Sequence, residues 1–139
     1  MHIHIRPAAA ADAWTIRRMV LREGLDPTTL KWQHFLVAEH AGEIIGVGQI
    51  KRYGGLEELG SLVVKKPHRG RGIAAQLIAA LEAQASRPLY LACAAHLRTF
   101  YEQFGYQVIP LDDAPRALRW KLRIPNMLPG ITVYAMRKL

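Results

Sequence analysis

A β-branched run, a basic turn broken by glycines and an alanine- and leucine-rich run follow one another without interruption between Gly60 and Ala85, GSLVVKKPHRGRGIAAQLIAALEAQA. That order predicts strand, loop and helix. Ile73, Leu77, Ile78, Leu81 and Ala85 recur at helical spacing and give the helix one apolar stripe, while Gln76, Glu82 and Gln84 stay wet. Gly70 and Gly72 stand where the helix begins, so the backbone can turn there without a Cβ and a ligand can come close. The first amides of the helix have no intrahelical acceptor, and Lys65, Lys66, His68, Arg69 and Arg71 surround them with positive charge. Such a place suits an anion, above all a phosphate.

The segment Arg69-Gly70-Arg71-Gly72-Ile73-Ala74 resembles the R/Q-x-x-G-x-G/A signature of the GNAT superfamily of N-acetyltransferases. The hydrophobic strand before it, the FYEQFGY segment from Phe100 to Tyr106 and the short chain extend the resemblance over most of the protein. The resemblance implies that acetyl-CoA is the cofactor. Its pyrophosphate would lie on Arg69, Gly70, Arg71, Gly72, Ile73, Ala74 and Ala75, and its pantetheine arm would pair with backbone at Leu62, Val63 and Val64. The alternative reading is a solvated basic turn between strand and helix.

The chain has 139 residues, half of them hydrophobic, which predicts one domain over 1–139 with a core of its own. Nineteen Lys and Arg against eleven Asp and Glu give a net charge of +8, which favours polyanionic partners without choosing among them. A single cysteine, Cys93, has no internal disulfide partner, and the N-terminus lacks a leader pattern, so a cytoplasmic location is expected. No run approaches the length of a membrane span, and no membrane partner is expected. No metal is expected either: His2 and His4 share a strand face, but nothing nearby completes a ligand set.

In chain order, His2–Arg6 reads as a strand that Pro7 ends. A helix follows from Asp12 to its stop at Gly24, with Ile16, Met19, Val20 and Trp14 inward. Residues 26–31 read as a turn or short helix; by the resemblance this region lies near the acceptor, with Trp32 beside it. Phe35–Glu39 and Glu43–Lys51 read as a hairpin turning at Ala41-Gly42, and Gly46 and Gly48 imply close packing over that second strand. After a turn at Gly54-Gly55, Leu59–Val64 forms the strand that feeds the glycine loop. Pro88–Ala92 is a central strand, Ala94–Phe104 a helix closed by Gly105, and Tyr106–Ile109 and Ile131–Arg137 the last strands. The resemblance makes this an α+β GNAT fold: a mixed, mostly antiparallel sheet of about seven strands flanked by helices. Its parallel strand pair splays at the cofactor, and a β-bulge in the fourth strand turns backbone toward the pantetheine.

Acetyl transfer to an amine needs a neutral amine, a donor to the developing oxyanion and a proton for the departing thiolate. By the resemblance Tyr101 supplies that proton; otherwise it is a packing aromatic. Glu58, before the central strand, is the candidate general base through water, against a solvated strand end. Cys93 reads as a buried thiol, not a nucleophile. Two departures from the family pattern stand out. Ala94 replaces the asparagine that many members place seven residues before the tyrosine. The connection over 110–130 is long, and it reads as a loop covering the acceptor. There Asp112 and Asp113 suit a cationic amine, Arg116, Arg119, Lys121 and Arg123 an acidic acceptor, and Trp120, Leu122 and Ile124 a docked loop or a homodimer contact. The predicted function is an N-acetyltransferase whose acceptor is a small-molecule amine or a peptide or protein amine. A non-catalytic acyl-CoA sensor is the alternative, and a nucleic-acid-binding domain stands behind both.

Overall fold

The computed structural model describes residues 2–139. Seven strands form a mixed sheet, with β1 at His4–Pro7, β2 at Phe35–His40, β3 at Glu43–Tyr53, β4 at Leu56–Val64, β5 at Leu89–Ala94, β6 at Gln107–Ile109 and β7 at Val133–Lys138. Four α-helices accompany them: α1 at Ala13–Arg22, α2 at Ile73–Ala83, α3 at Arg98–Glu102 and α4 at Arg116–Met127. Residue contacts divide the chain into two compact units. One comprises residues up to Lys51 with Leu59–Ala85, the other Arg52–Glu58 with Ser86–Leu139.

The first unit holds the strand order β1-β2-β3-β4. β1 is antiparallel to β2 and β2 to β3, with a register shift at Ala38 and Glu39. Pro7 is the last rung of β1, opposite Leu36, so the strand ends there as the sequence implies, with the proline itself paired; at a sheet edge a missing N–H costs little. His2 lies outside β1, which begins at His4. Ile16, Met19 and Val20 of α1 pack with Phe35, Val37, Ile44, Val47 and Val63 into one apolar cluster. Trp14 is on the outer side of α1, 76% exposed, contrary to expectation. Residues 26–31 are irregular, and a 3-10 turn at Trp32–His34 leads into β2.

The glycines of β3 are explained by α2. A Cβ on Gly46 would stand 3.0 Å from Leu77 Cδ1, and one on Gly48 would stand 2.9 Å from Leu81 Cδ1. The helix therefore sits directly on backbone, with Ile73, Leu77, Ile78 and Leu81 buried as the periodicity predicts. Ala85 lies beyond the end of α2.

The second unit holds the order β4-β5-β7-β6. β4 runs parallel to β5, with Glu58 opposite Tyr90, and β7 is antiparallel to both β5 and β6. β5 alternates in burial, Leu89, Leu91 and Cys93 being buried, and it extends to Ala94. The helix expected over 94–104 is shorter: a 3-10 turn at Ala95–Leu97 precedes α3, and Gly105 closes it at φ 90°. β7 starts at Val133, not Ile131.

The 110–130 connection is not a loop. It contains a 3-10 turn at Leu111–Asp113 and the 12-residue helix α4. Leu118 and Leu122, four apart, bury with Leu56, Ile109, Ala114 and Ala135. Pro125 falls late in the helix, and Asn126 ties its end to β7 by donating to Val133 O at 3.0 Å and accepting from Val133 N–H at 2.9 Å.

Candidate active site

The glycine turn is built as its sequence requires. β4 ends at Val64, and the Lys65 N–H donates to Ile45 O at 2.8 Å, so the strand pairing reaches the turn itself. A 3-10 turn at Lys66–His68 leads to Gly70 and Gly72, at φ 80° and 78°. Gly72 is the N-cap of α2 in the left-handed region, and no side chain caps the first amides. A Cβ at Gly70 or Gly72 would meet no protein atom within 4 Å. The glycines thus answer a backbone angle, and the space over them is open to a ligand.

The charge around the turn is partly spoken for. Arg69 Nε donates to Val64 O at 2.9 Å and its NH2 to Glu23 Oε1 at 3.0 Å, so this arginine braces the loop. Lys65 pairs with Glu43 at 3.0 Å. Lys66 and Arg71 are exposed beside the glycines. Within β4, Leu62, Val63 and Val64 follow Ser61, which sits at φ 52° inside the strand. That angle breaks the pleat immediately before the residues expected to pair with pantetheine, in the strand for which the resemblance implies a bulge at no stated position.

Ser61 belongs to a buried polar cluster absent from the sequence reading. Gln49, fully buried in β3, donates from Nε2 to Thr29 O at 2.7 Å and to Ser61 Oγ at 2.9 Å, while its Oε1 is buried without a partner. Two residues on, Lys51 is also buried and pairs with Asp26 at 3.2 Å. Burial alone would raise the Asp26 pKa, but hydrogen bonds from Thr28 and the Lys51 charge outweigh it and hold the carboxyl well below its ordinary value. The signal available in sequence was Gln49 and Lys51, two apart on one face of an otherwise apolar strand.

Glu58 lies inside β4, which begins at Leu56, so it is no solvated strand end. It is 3% exposed, and its carboxylate accepts from Lys121 Nζ at 2.9 and 3.1 Å and from Tyr53 OH at 2.5 Å. Lys121 comes from α4, within the connection that the sequence presents as a loop. Glu57 alternates to the other side, pairing with Arg52 at 2.9 Å and accepting from the Ser86 N–H at 2.8 Å.

Tyr101 is buried on α3, edge-on to Phe100 at 5.1 Å and to Tyr106 at 6.3 Å. Burial first, and the neighbouring Cys93 second, push its phenol up to about 12. Burial pushes the Cys93 thiol up to about 11, and its Sγ contacts Met136 Sδ at 3.5 Å, which fits an inert core thiol. Ala94, where an asparagine is common in the family, offers no side-chain hydrogen bond. Among the described residues no group of three His, Cys, Asp or Glu could hold a metal, and no helix is long and apolar enough to cross a membrane.

The chain belongs to the GNAT acetyltransferase family: the model of the acetyltransferase (GNAT) domain matches residues 31–108, more than half of it. No curated protein sequence matches it. Its fold is similar to that of the N-acetylglutamate synthase from Neisseria gonorrhoeae complexed with coenzyme A and N-acetyl-glutamate, with a TM-score of 0.82 at 18% identity. That match covers 100% of this chain but 36% of the synthase, so the chain spans about a third of its length. Rv2747 from Mycobacterium tuberculosis, solved in complex with CoA, matches with a TM-score of 0.78 at 19% identity, over 98% of both chains. Escherichia coli ElaA matches at 0.69 and 16%, over 99% of this chain and 100% of that one. At such identities the likeness is one of fold.

Proposed function

We propose that the chain is a single catalytic domain that transfers the acetyl group of acetyl-CoA to a primary amine by direct attack in a ternary complex. The observation that carries this reading is the turn at Gly70–Gly72, where two left-handed glycines, open space and uncapped amides meet at the start of an 11-residue helix. Those amides would donate to the cofactor phosphates, Lys66 and Arg71 would add charge, and the backbone at Leu62–Val64 would hold the pantetheine arm. When bound, acetyl-CoA supplies the thioester carbon that the amine attacks.

The chain's own groups handle the protons. Tyr101 is protonated throughout the neutral range and donates to the departing thiolate. A phenol raised to about 12 holds its proton more tightly than a thiol, so donation depends on the thiolate forming at close range. Glu58 drains the amine proton through water once Lys121 yields one carboxylate oxygen. The acceptor is a primary amine. Because the Neisseria synthase is complexed with N-acetyl-glutamate, α-amino acids head the series to be tried.

One second reading has observations of its own. The engaged Glu58 carboxylate and the missing asparagine at Ala94 favour an acyl-CoA sensor without turnover. Thiol release from acetyl-CoA, followed across amino acids, polyamines and peptide N-termini, separates the two. Cofactor binding with no thiol release from any acceptor would establish the sensor.

A further inference from the structure

Helix α4 has two apolar faces, and the core uses only one. Leu118 and Leu122 turn inward, whereas Trp120, Ile124 and Met127 are 59%, 70% and 72% exposed, and Leu128 and Ile131 continue the same stretch at 51% and 45%. Scattered exposed apolar side chains are ordinary; five large ones on a single helix and its exit are not. Arg116, Arg119 and Arg123 line a shallow cleft of about 210 Å³ with Trp120, and the Arg123 guanidinium lies 5.2 Å from the indole centroid. From Ala114 to Leu139 the sequence holds six basic residues (Arg116, Arg119, Lys121, Arg123, Arg137, Lys138) and no Asp or Glu. That stretch accounts for six of the eight net positive charges.

The combination of charge and apolar surface narrows the occupant. A second copy of this face would set arginine against arginine. A polynucleotide would use the arginines and the indole but leave Ile124, Met127, Leu128 and Ile131 uncovered. The cleft is too small to seat a partner helix. An anionic bilayer surface satisfies both halves: aliphatic tips enter the boundary between headgroups and acyl chains, the indole sits at the interface, and guanidinium groups reach lipid phosphates. We infer that the outward face of α4, with the turn through Ile131, is a peripheral docking surface for anionic lipid bilayers. This contact lies on the surface and spans nothing, and it adds a lipid partner that the sequence reading did not expect.

The test is cosedimentation of the full chain with vesicles of phosphatidylglycerol and phosphatidylcholine, compared with phosphatidylcholine alone. Binding is expected only to the former and should weaken with salt. Arg116→Gln/Arg119→Gln/Arg123→Gln should weaken it about tenfold or more. Arg17→Gln/Arg18→Gln/Arg22→Gln removes equal charge from the exposed side of α1 and should weaken it far less. Trp120→Ser/Ile124→Ser should also reduce binding while keeping every charge. Circular dichroism and thermal melting establish that each variant folds. The proposal is overturned if the parent ignores anionic vesicles, if the two arginine triples lose binding equally, if the apolar pair changes nothing, or if an oligonucleotide displaces the vesicles.

Discussion

Lys121 Nζ stands 2.9 and 3.1 Å from the two carboxylate oxygens of Glu58, and it thereby ties helix α4 to the start of β4. The glutamate is 3% exposed and the lysine side chain 26%, so the carboxylate depends on this partner and the lysine does not depend equally on the carboxylate. Lys121→Met leaves a buried charge with Tyr53 alone and should destabilise the fold by about 3 kcal/mol, the low end for a broken buried pair because the lysine keeps part of its hydration. Adding Glu58→Leu should recover most of that loss. Urea denaturation of the single and double variants measures it, and a single variant as stable as the parent would show that the pair contributes nothing.

Acetyl-CoA affinity should collapse in Gly72→Val. The substitution puts a branched side chain at φ 78° and a Cβ in space the protein leaves open. Losing two charge-assisted hydrogen bonds would weaken binding over about a hundredfold. Arg71→Ala should cost less, since the backbone amides remain. Calorimetric titration of folded variants decides, and parental binding by Gly72→Val would remove the phosphate-cradle assignment.

Gly54 and Gly55 make a matched pair for stability. Both have positive φ, 55° and 76°, as a tight hairpin turn demands, but a Cβ on Gly54 would stand 2.5 Å from Ala117 Cβ on α4, and one on Gly55 would meet nothing. Alanine at either position carries the same kind of backbone penalty. Only Gly54→Ala adds the clash, and it should lower stability by about 1–3 kcal/mol more than Gly55→Ala. Equal melting temperatures for the two variants would contradict the packing described.

Tyr101→Phe should bind acetyl-CoA like the parent and release thiol more slowly at neutral pH, by about tenfold or more if the phenol is the acid. With the phenol pushed up to about 12, the parent's rate should show no alkaline limb from this group between pH 7 and about 10. A Phe variant with parental turnover would reassign Tyr101 to packing.

Alkaline pH should unfold the protein through the same region. Burial raises the Cys93 thiol from 9.0 to about 11 and the Tyr101 phenol from 10.0 to about 12. Above the ordinary values the unfolded chain loses these protons while the folded chain keeps them, so their contribution is whole below about pH 9 and is lost as pH rises through the folded values. Melting temperature should fall over that window in the parent and fall less in Cys93→Ala/Tyr101→Phe. Identical pH profiles would show that neither group is linked to folding.

Most of the first unit was legible because its signals are local. Period 3.6 in Ile73–Leu81, the turn pairs and the glycine string each constrain a few adjacent residues. Gly46 and Gly48 were readable as a close approach, though not as the seat of Leu77 and Leu81. What stayed hidden was set by distant partners. Trp14 is a separate case: two residues before Ile16 it stands nearly opposite the stripe of Ile16, Met19 and Val20 at about 3.6 residues per turn, so its outward place was already in the spacing. In α4 the prolines at Pro125 and Pro129 and the mixed arginines obscured a stripe reduced to Leu118 and Leu122. The partners of Glu58 lie 5 and 63 residues away, so no local pattern could disclose them.

The notches at Gly46 and Gly48 give β3 control over where α2 begins. Leu77 and Leu81 rest on bare backbone, and a methyl group at either glycine would press on the Cδ1 of one of them, so that the leucine tip or the helix behind it must give. Where the helix gives, the amides at its head move with it. Weakened cofactor binding can therefore arise from a strand position more than twenty residues upstream in sequence, with every residue of the glycine turn intact, and it would register as a changed dissociation rate in a protein of nearly unchanged spectrum.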